Sequence, residues 1–357
     1  MTKIQKSQRN SAIELLRILA MLTIIYSHIC YHSGFDRIYS ILSVNRLFVQ
    51  FGLIGHTGVV LYMLISGYFQ CESTFRTSSL SRLLGQVWFY SIALFLVCRF
   101  VFGYSYTPRM LMEVFLPTLY NEYWFFTVYI VVFLMSPFIN VMIRGLSRAQ
   151  LGAMVLMMTA FWFLLPTLTE QTMYGNELPQ FLLFYLIGAY FRKYPDNLFR
   201  KKILRWAAVV VPLVLWVGLS VGFGYMERYS PEAFGASHRY FERNSLLTLS
   251  AAVGLFALAI YGKPFSSRFV NLLGGCTFGV YLIHDNPAVR ELLWKNWLHW
   301  GDYFTSGSFI PRLVISILLV YAVCTAIEWL RQKTVAKPIE KAIDSILGRL
   351  LNKRSAV

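Results

Sequence analysis

The sequence predicts an all-α integral membrane protein, a helical bundle that crosses the bilayer about ten times and keeps both termini in the cytoplasm. Of its 357 residues, 57% are hydrophobic and only 14% are charged, whereas soluble domains carry about a quarter charged residues. The charged residues are mostly basic and give a formal net charge of +16. On so apolar a chain, a basic excess indicates loops that face an anionic cytoplasmic leaflet rather than a nucleic-acid partner.

Apolar stretches long enough to span a membrane recur along the whole chain. A helix needs about 20 apolar residues to cross the hydrocarbon layer. The predicted spans are 11–31, 47–69, 83–103, 124–141, 151–168, 180–192, 206–224, 245–262, 270–285 and 310–330. No separate soluble domain fits between them. We therefore predict a transmembrane domain over residues 1–335 and a cytoplasmic amphipathic tail over residues 336–357.

The distribution of basic residues predicts the orientation. With the amino terminus inside, 22 of the 33 lysines and arginines fall in cytoplasmic segments, nine in outer loops and two within spans. Positive residues concentrate on the cytoplasmic side of membrane proteins, so both ends of the chain are expected there, in a multi-pass protein of the cell membrane. The five cysteines lie far apart and form no Cys-x-x-Cys pair, and no metal is expected.

The first predicted span carries three ionisable residues, Glu14, Arg17 and His28. Eleven residues at about 100° each place Arg17 and His28 on the same helix face, about 16 Å apart along the axis. Ionisable residues within spans are costly and often functional. However, Glu14 and Arg17 are also spaced to form an interfacial ion pair, with His28 as a packing residue. The spacing leaves both interpretations open.

A second histidine, His284, ends the ninth predicted span, three residues after Tyr281. In the predicted topology His28 and His284 lie at similar depth in the outer half of the membrane, and two imidazoles at one depth are a candidate site. The sequence does not indicate whether the rings meet. His56 in the second span is a further polar candidate.

Two other features have structural interpretations. Gly55, Gly58 and Gly67 in the second span would allow close packing of helix backbones. The aromatic residues that follow Tyr123 would lie at the outer membrane interface, where aromatic belts occur.

In the order of these motifs the chain resembles the membrane acyltransferase-3 family of bacterial O-acyltransferases. The resemblance rests on Arg17-x10-His28, the run from Val59 to Ser66-Gly67-Tyr68, Tyr123-Trp124-Phe125 through Pro137, Phe184 to Phe191 around Gly188, and Phe278-Gly279-Val280-Tyr281-Leu282-Ile283-His284. These motifs extend over nearly the whole chain. The resemblance implies a ten-span enzyme that takes an acyl group, usually acetyl, from cytoplasmic acyl-coenzyme A. The acceptor would be a hydroxyl of a cell-surface polysaccharide or its lipid-linked precursor.

Residue by residue, the resemblance implies that His28 is the essential histidine of the first span and that Arg17 is the arginine of the same motif. Many members have an Arg-x-x-Arg pair in the loop after the second span, but here Ser79 stands three residues before Arg82, and the nearest other arginine is Arg76. Arg76 and Arg82 are retained as candidate contacts to the donor, together with Arg17. The catalytic candidates are His28, Arg17 and His284.

The residue types suit acyl transfer. A sugar hydroxyl is a poor nucleophile at neutral pH, and imidazole is the side chain best suited to act as its base. His28 could instead become acylated as a nucleophile. Further donor contacts could come from basic residues of other cytoplasmic loops, which are equally explained as topology signals: Arg144, Arg148, Arg192, Lys193, Arg200, Lys201 and Lys202.

The expected partners are therefore acyl-coenzyme A, a glycan or lipid-linked saccharide and the lipid bilayer, without nucleic acid. A transporter or flippase of an amphipathic substrate is the alternative, because polar residues on bundle-facing helices also line conduits. Transporters often contain internal repeats and broken helices, and neither is evident here. The acceptor sugar, the acyl chain length and the oligomeric state are not indicated by the sequence.

Overall fold

The computed structural model describes residues 10–33, 35, 43–169, 177–226, 229 and 240–352, and in these residues it contains helices and no β-strand. The basic segment 1–9, the predicted outer loop around residue 232 and the last five residues lie outside the described part. The α-helices are α1 Ser11–His32, α2 Val44–Phe51, α3 Gly55–Gln70, α4 Thr77–Phe100, α5 Pro108–Phe115, α6 Trp124–Gly145, α7 Arg148–Thr159, α8 Leu165–Thr169, α9 Glu177–Lys193, α10 Lys202–Met226, α11 Leu246–Tyr261, α12 Arg268–His284, α13 Pro287–Glu291, α14 Phe309–Thr334 and α15 Ala336–Asn352.

The predicted all-α membrane class is confirmed. Within the described residues, seven helical segments are long and apolar enough to cross a membrane, and α2 with α3 counts as one of them. The other three predicted spans fall on α9, α11 and α12, which have 17, 16 and 17 residues. These short helices are largely buried among other helices. The number of crossings, ten, and the location of the termini remain predictions.

The centre of the bundle is a tightly packed layer in which α3 lies between α1 and α9. A Cβ atom added at Gly67 would lie 2.2 Å from the carbonyl oxygen of Tyr185, and one added at Gly188 would lie 2.2 Å from that of Leu64. Each glycine therefore faces the backbone of the other helix, as the sequence predicts for Gly67. This seam fixes α3, against which α1 packs.

Hydrogen bonds between helix ends show which ends lie together. Ser11 at the start of α1 donates to Asn271 near the start of α12, at 2.8 Å. Asn140 near the end of α6 donates to the carbonyl oxygen of Gln70, the last residue of α3, at 2.8 Å. Helices α1 and α12 pack against each other, and His28 near the end of α1 also contacts His284 at the end of α12. With contacts at both ends, the two helices run side by side in the same direction.

The tail contains a helix, α15, that packs on α4. Ile339 and Ile343, four residues apart on one face, approach Gly85 of α4. Ser81 donates a hydrogen bond to the carboxylate of Asp344. The contact places α15 beside the first turns of α4. The division of the chain at residue 335 remains a prediction.

Candidate active site

A cavity of about 680 Å³ extends along α1 from Arg17 to His28. These two residues are eleven positions apart, or about 16 Å of helical rise. The described residues that line the cavity come mainly from α1, α3, α4, α6, α12 and α14. The face of α1 that the sequence predicts thus forms one wall of an internal cavity, which connects the level of Arg17 with the level of His28.

The two predicted histidines meet at one end of this cavity. His28 Nδ1 lies 3.0 Å from His284 Nε2, and the ring centroids are 5.1 Å apart. His284 is fully buried, whereas 16% of the His28 side chain is exposed. Of the two rings, His28 therefore faces the cavity, and His284 contacts it on the side away from the cavity.

The backbone carbonyl of Val280 determines how protons are distributed over the neutral rings. His284 Nδ1 lies 2.6 Å from the carbonyl oxygen of Val280, and because a carbonyl only accepts, Nδ1 must carry the hydrogen. His284 Nε2 is then an acceptor, so His28 Nδ1 is the donor in the contact between the rings. The lone pair of His28 remains on Nε2, which has no hydrogen-bond partner among the described residues.

Asp285 reinforces this arrangement. Its Oδ1 lies 3.5 Å from His28 Nδ1, and its side chain is only 4% exposed. A carboxylate beside Nδ1 favours a hydrogen on that nitrogen, as in other His-carboxylate pairs. Two independent contacts thus leave Nε2 as the basic nitrogen of His28.

A buried polar network fixes the turn that follows His284. Asn286 donates to Glu122 Oε1 at 3.1 Å and to the Tyr123 hydroxyl at 3.0 Å. Tyr123 in turn donates to the carbonyl oxygen of Leu282 at 3.1 Å. The network joins the start of α6 to the end of α12 and holds Asp285 in place.

Glu122 holds a proton up to nearly neutral pH. Its burial raises its pKa from 4.5 to about 7. The hydroxyl of Ser91 lies 2.5 Å from Glu122 Oε2 and 2.8 Å from the carbonyl oxygen of Val114. Ser91 donates to Glu122 when the carboxyl group is ionised; when Glu122 is protonated, its carboxyl hydrogen can donate to Ser91 while Ser91 donates to Val114.

We therefore predict that Glu122→Gln reduces the pH dependence of stability. Between about pH 4.5 and 7 the folded chain holds a proton on Glu122 that the unfolded chain has lost, so stability decreases as pH rises, by up to about 3 kcal/mol. A glutamine amide can donate to Ser91 without titrating. Thermal unfolding of the detergent-solubilised protein at pH 5 and pH 8 should show a smaller decrease for the variant, and equal decreases would contradict the assignment.

Two ion pairs lie at the opposite end of the cavity. Arg17 Nη1 lies 2.6 Å from Glu14 Oε1, so the ion pair that the sequence allowed is present, and Arg17 also lines the cavity. Arg331 of α14 forms a bidentate pair with Glu328, with both distances 2.8 Å. The two interpretations of Arg17 are thus compatible, because the paired side chain remains 26% exposed.

Arg76 and Arg82 face a smaller cavity of about 210 Å³, and Arg82 also lines the large one. Ser79, three residues before Arg82, lines the smaller cavity too. Lys337 of α15 lines the large cavity. Among the described residues, Arg82 and Lys337 have no ion pair, so their charges are available to an anionic ligand.

The other basic candidates of the predicted cytoplasmic loops do not line either cavity. Arg148 pairs with Asp196 at 2.6 Å, and Arg192 pairs with Glu72 at 2.6 Å. Lys193 donates to the carbonyl oxygen of Ile143 at 2.7 Å. These contacts tie helix ends together, and the interpretation of these residues as topology signals stays a prediction.

The aromatic residues after Tyr123 do not form the outer belt that the sequence suggested. Tyr123 is buried, and Trp124, Phe125 and Tyr129 line the cavity. The run is apolar on all sides, so its composition could not distinguish a lipid-facing from a cavity-facing surface. His56, in contrast, lies outside the cavity lining and contacts the carbonyl oxygen of Phe241 at 3.1 Å.

Several site residues were missed by sequence reasoning. Asp285 directly follows His284, and His32 lies one turn after His28. Both could therefore have been found in the sequence as neighbours of a predicted site residue. Glu122 directly precedes the Tyr123-Trp124-Phe125 motif and so was also marked by its neighbours in the sequence, whereas Lys337, in the tail, was not. The prediction that the protein has no metal stays a prediction, although His28, His32 and Asp285 lie together.

A membrane bundle with an internal cavity, a histidine pair at one end and cations at the other defines an integral membrane protein with an enzyme-like site. The chain matches the acyltransferase-3 family profile, described as an acyltransferase domain, over residues 10–329. It therefore belongs to this family, as the resemblance predicted, and α15 lies beyond the matched region. No match to a curated protein or to a solved structure was found.

Proposed function

We propose that the protein transfers an acyl group, most simply acetyl, from cytoplasmic acyl-coenzyme A to a hydroxyl of a cell-surface polysaccharide or its lipid-linked precursor. Family membership supports acyl transfer in general. The observation that carries the finer proposal is the cavity that joins Arg17 and Arg82 to His28. A donor of this kind has anionic phosphates at one end and a reactive thioester at the other, joined by a narrow arm.

The charged end of the cavity suits the phosphates. Arg17, Arg82 and Lys337 lie there, with Glu340 as a partly offsetting charge. The middle is lined by Met21, Ile65 and other apolar side chains, which suits the uncharged arm. In this orientation the thioester is delivered near the end of α1.

His28 acts as the base in this proposal. Its Nε2 accepts the hydrogen of the acceptor hydroxyl while the hydroxyl oxygen attacks the thioester carbonyl carbon. The carbon–sulfur bond then breaks, and His28 returns the proton to the departing thiolate. The products are an ester and free coenzyme A, and no proton is consumed or released.

Tyr281 is the candidate that stabilises charge on the thioester oxygen. Its hydroxyl is buried in the cavity wall, one turn before His284, and has no hydrogen-bond partner among the described side chains and carbonyl groups. In the proposed reaction this hydroxyl turns into the cavity and donates to the developing oxyanion, a role that is worth about 10²-fold or more in other enzymes.

The test measures the reaction and its product together. Membrane vesicles with and without the protein receive acetyl-coenzyme A, and thiol release is measured while the mass of the host glycan is compared. We expect thiol release together with one acetyl increment on the glycan. Thiol release without a modified glycan would contradict the acceptor class, and translocated but unmodified glycan would favour the transporter alternative.

We predict that Arg17→Lys raises the donor concentration needed for half-maximal rate by about tenfold, which corresponds to 1.4 kcal/mol. Lysine retains the charge but loses the planar, bidentate group that suits phosphate. Turnover at saturating donor should be largely kept. Arg148→Lys, outside the cavity, is the matched control, and an unchanged donor curve for Arg17→Lys would exclude Arg17 from the donor site.

A further inference from the structure

Three metal-binding side chains converge at the end of α1 opposite Arg17. One ligating atom from each of His28, His32 and Asp285 lies within 4.8 Å of the others. His28 and His32 are four residues apart and share a helix face, with ring centroids 5.4 Å apart. Asp285 approaches His28 Nδ1 to 3.5 Å from the end of α12. A pair of histidines at this helical spacing is a common way to bind zinc.

The cluster is poorly satisfied without a cation. Asp285 is buried, and its side-chain contacts among the described residues are long, 3.5 Å to Arg290 and 3.5 Å to His28. His32 has no side-chain hydrogen bond among the described residues. Buried carboxylates normally accept shorter hydrogen bonds than these. Two imidazoles and one carboxylate thus lie close together, and among the described residues no short hydrogen bond satisfies the carboxylate.

We propose that His28, His32 and Asp285 form a zinc site, and that a bound Zn²⁺ ion inhibits the enzyme by holding the His28 ring. Two imidazoles and a carboxylate are a set that zinc accepts, with water in the fourth position. Magnesium prefers a shell of oxygen ligands, so the site selects for a transition-metal ion. The ion acts as an inhibitor and takes no part in the transfer itself.

The inhibition follows from the two nitrogens of one ring. If zinc binds Nε2 of His28, it occupies the lone pair that would accept the hydroxyl hydrogen. If zinc binds Nδ1, the ring hydrogen moves to Nε2, which then cannot act as a base. This consequence rests on the proposed function, whereas the binding of zinc does not.

Arg290 limits the affinity of the site. Its guanidinium lies 3.5 Å from Asp285 Oδ1 and repels a divalent cation there. The nearest charges, Asp285 and Arg290, cancel when the histidines are neutral. Removal of Arg290 should therefore strengthen zinc binding, the opposite of the effect of removing a ligand.

The decisive experiment measures Zn²⁺ binding to tag-free, full-length protein in detergent by competition with a chromophoric chelator. A polyhistidine tag must be absent because it would itself bind zinc. We expect one ion per chain, with binding weakened about tenfold or more in His32→Ala, since even supporting residues of metal sites contribute about 10- to 100-fold. Binding should strengthen in Arg290→Gln. His56→Ala is the matched control and should bind zinc as the unmodified chain does.

Inhibition is tested on the same variants. Zinc should reduce acyl transfer by the unmodified chain and by His56→Ala, and His32→Ala should require about tenfold more zinc for the same loss. His32→Gln and thermal unfolding of each variant check that the fold is retained. Equal zinc affinity of the unmodified chain and both His32 variants would overturn the site. Zinc binding that depends on His32 without loss of acyl transfer would overturn the inhibition alone. If no acyl transfer occurs in any membrane, the proposed function fails, while the binding measurement still decides the site.

Discussion

The variant His28→Ala should lose acyl transfer by about 10² to 10⁴-fold, the range contributed by a general base. The loss should persist at every donor concentration, because the missing group is the acceptor of the hydroxyl hydrogen rather than a donor contact. The measurement is thiol release and glycan acetylation in membranes that contain equal amounts of each variant. This behaviour distinguishes His28 from Arg17, whose replacement should be compensated by more donor.

Two further variants make the His28 experiment specific. His56→Ala removes a histidine of α3 that lies outside the cavity lining, and its activity should be nearly unchanged. His284→Ala removes the ring that accepts from His28 Nδ1 and should reduce activity less than His28→Ala. Because His284 acts through His28, its replacement should have no further effect in a His28→Ala background. Near-normal acetylation by His28→Ala would remove His28 from the mechanism.

The sequence predicted the parts of the site that lie on one helix. Arg17 and His28 share a face because helical geometry depends only on their spacing, and the structure places both on the cavity wall. Counting the spans predicted the depth of His284 in the membrane. It did not predict whether the His284 ring contacts His28. A contact between α1 and α12 depends on the packing of helices that are about 250 residues apart in the chain, for which local spacing contains no information.

The same reasoning explains what the sequence could not predict. Lys337 belongs to a tail that reads as an amphipathic surface helix, and only its packing on α4 brings it to the cavity. The aromatic run after Tyr123 is apolar on every side, so lipid and cavity surfaces could not be told apart. Arg76 and Arg82 lack the expected spacing of a pair, yet Arg76 at the N-cap of α4 and Arg82 in its second turn line one cavity. Membrane helices are predictable one at a time, whereas the site depends on how they pack.

The variant Gly188→Ala should lose about 3 kcal/mol of stability, at the upper end of the usual effect of overpacking. A Cβ atom at this position would lie 2.2 Å from the carbonyl oxygen of Leu64 and 2.8 Å from the amide nitrogen of Tyr68. Both atoms belong to the backbone of α3, so no side-chain rotation can relieve the contact. The two helices must separate, and the matching contact at Gly67 is disturbed with them.

The control is Gly218→Ala on α10, where an added Cβ atom would meet no atom within 4 Å. Alanine is the better helix former, so this variant should be as stable as the unmodified chain or slightly more so. Thermal unfolding in detergent compares the two, and equal midpoints would show that the α3–α9 seam is looser than described. Acyl transfer by Gly188→Ala should fall with its stability, because α3 is also the helix on which α1 rests. A displacement of α3 therefore changes the support of α1, which carries both Arg17 and His28.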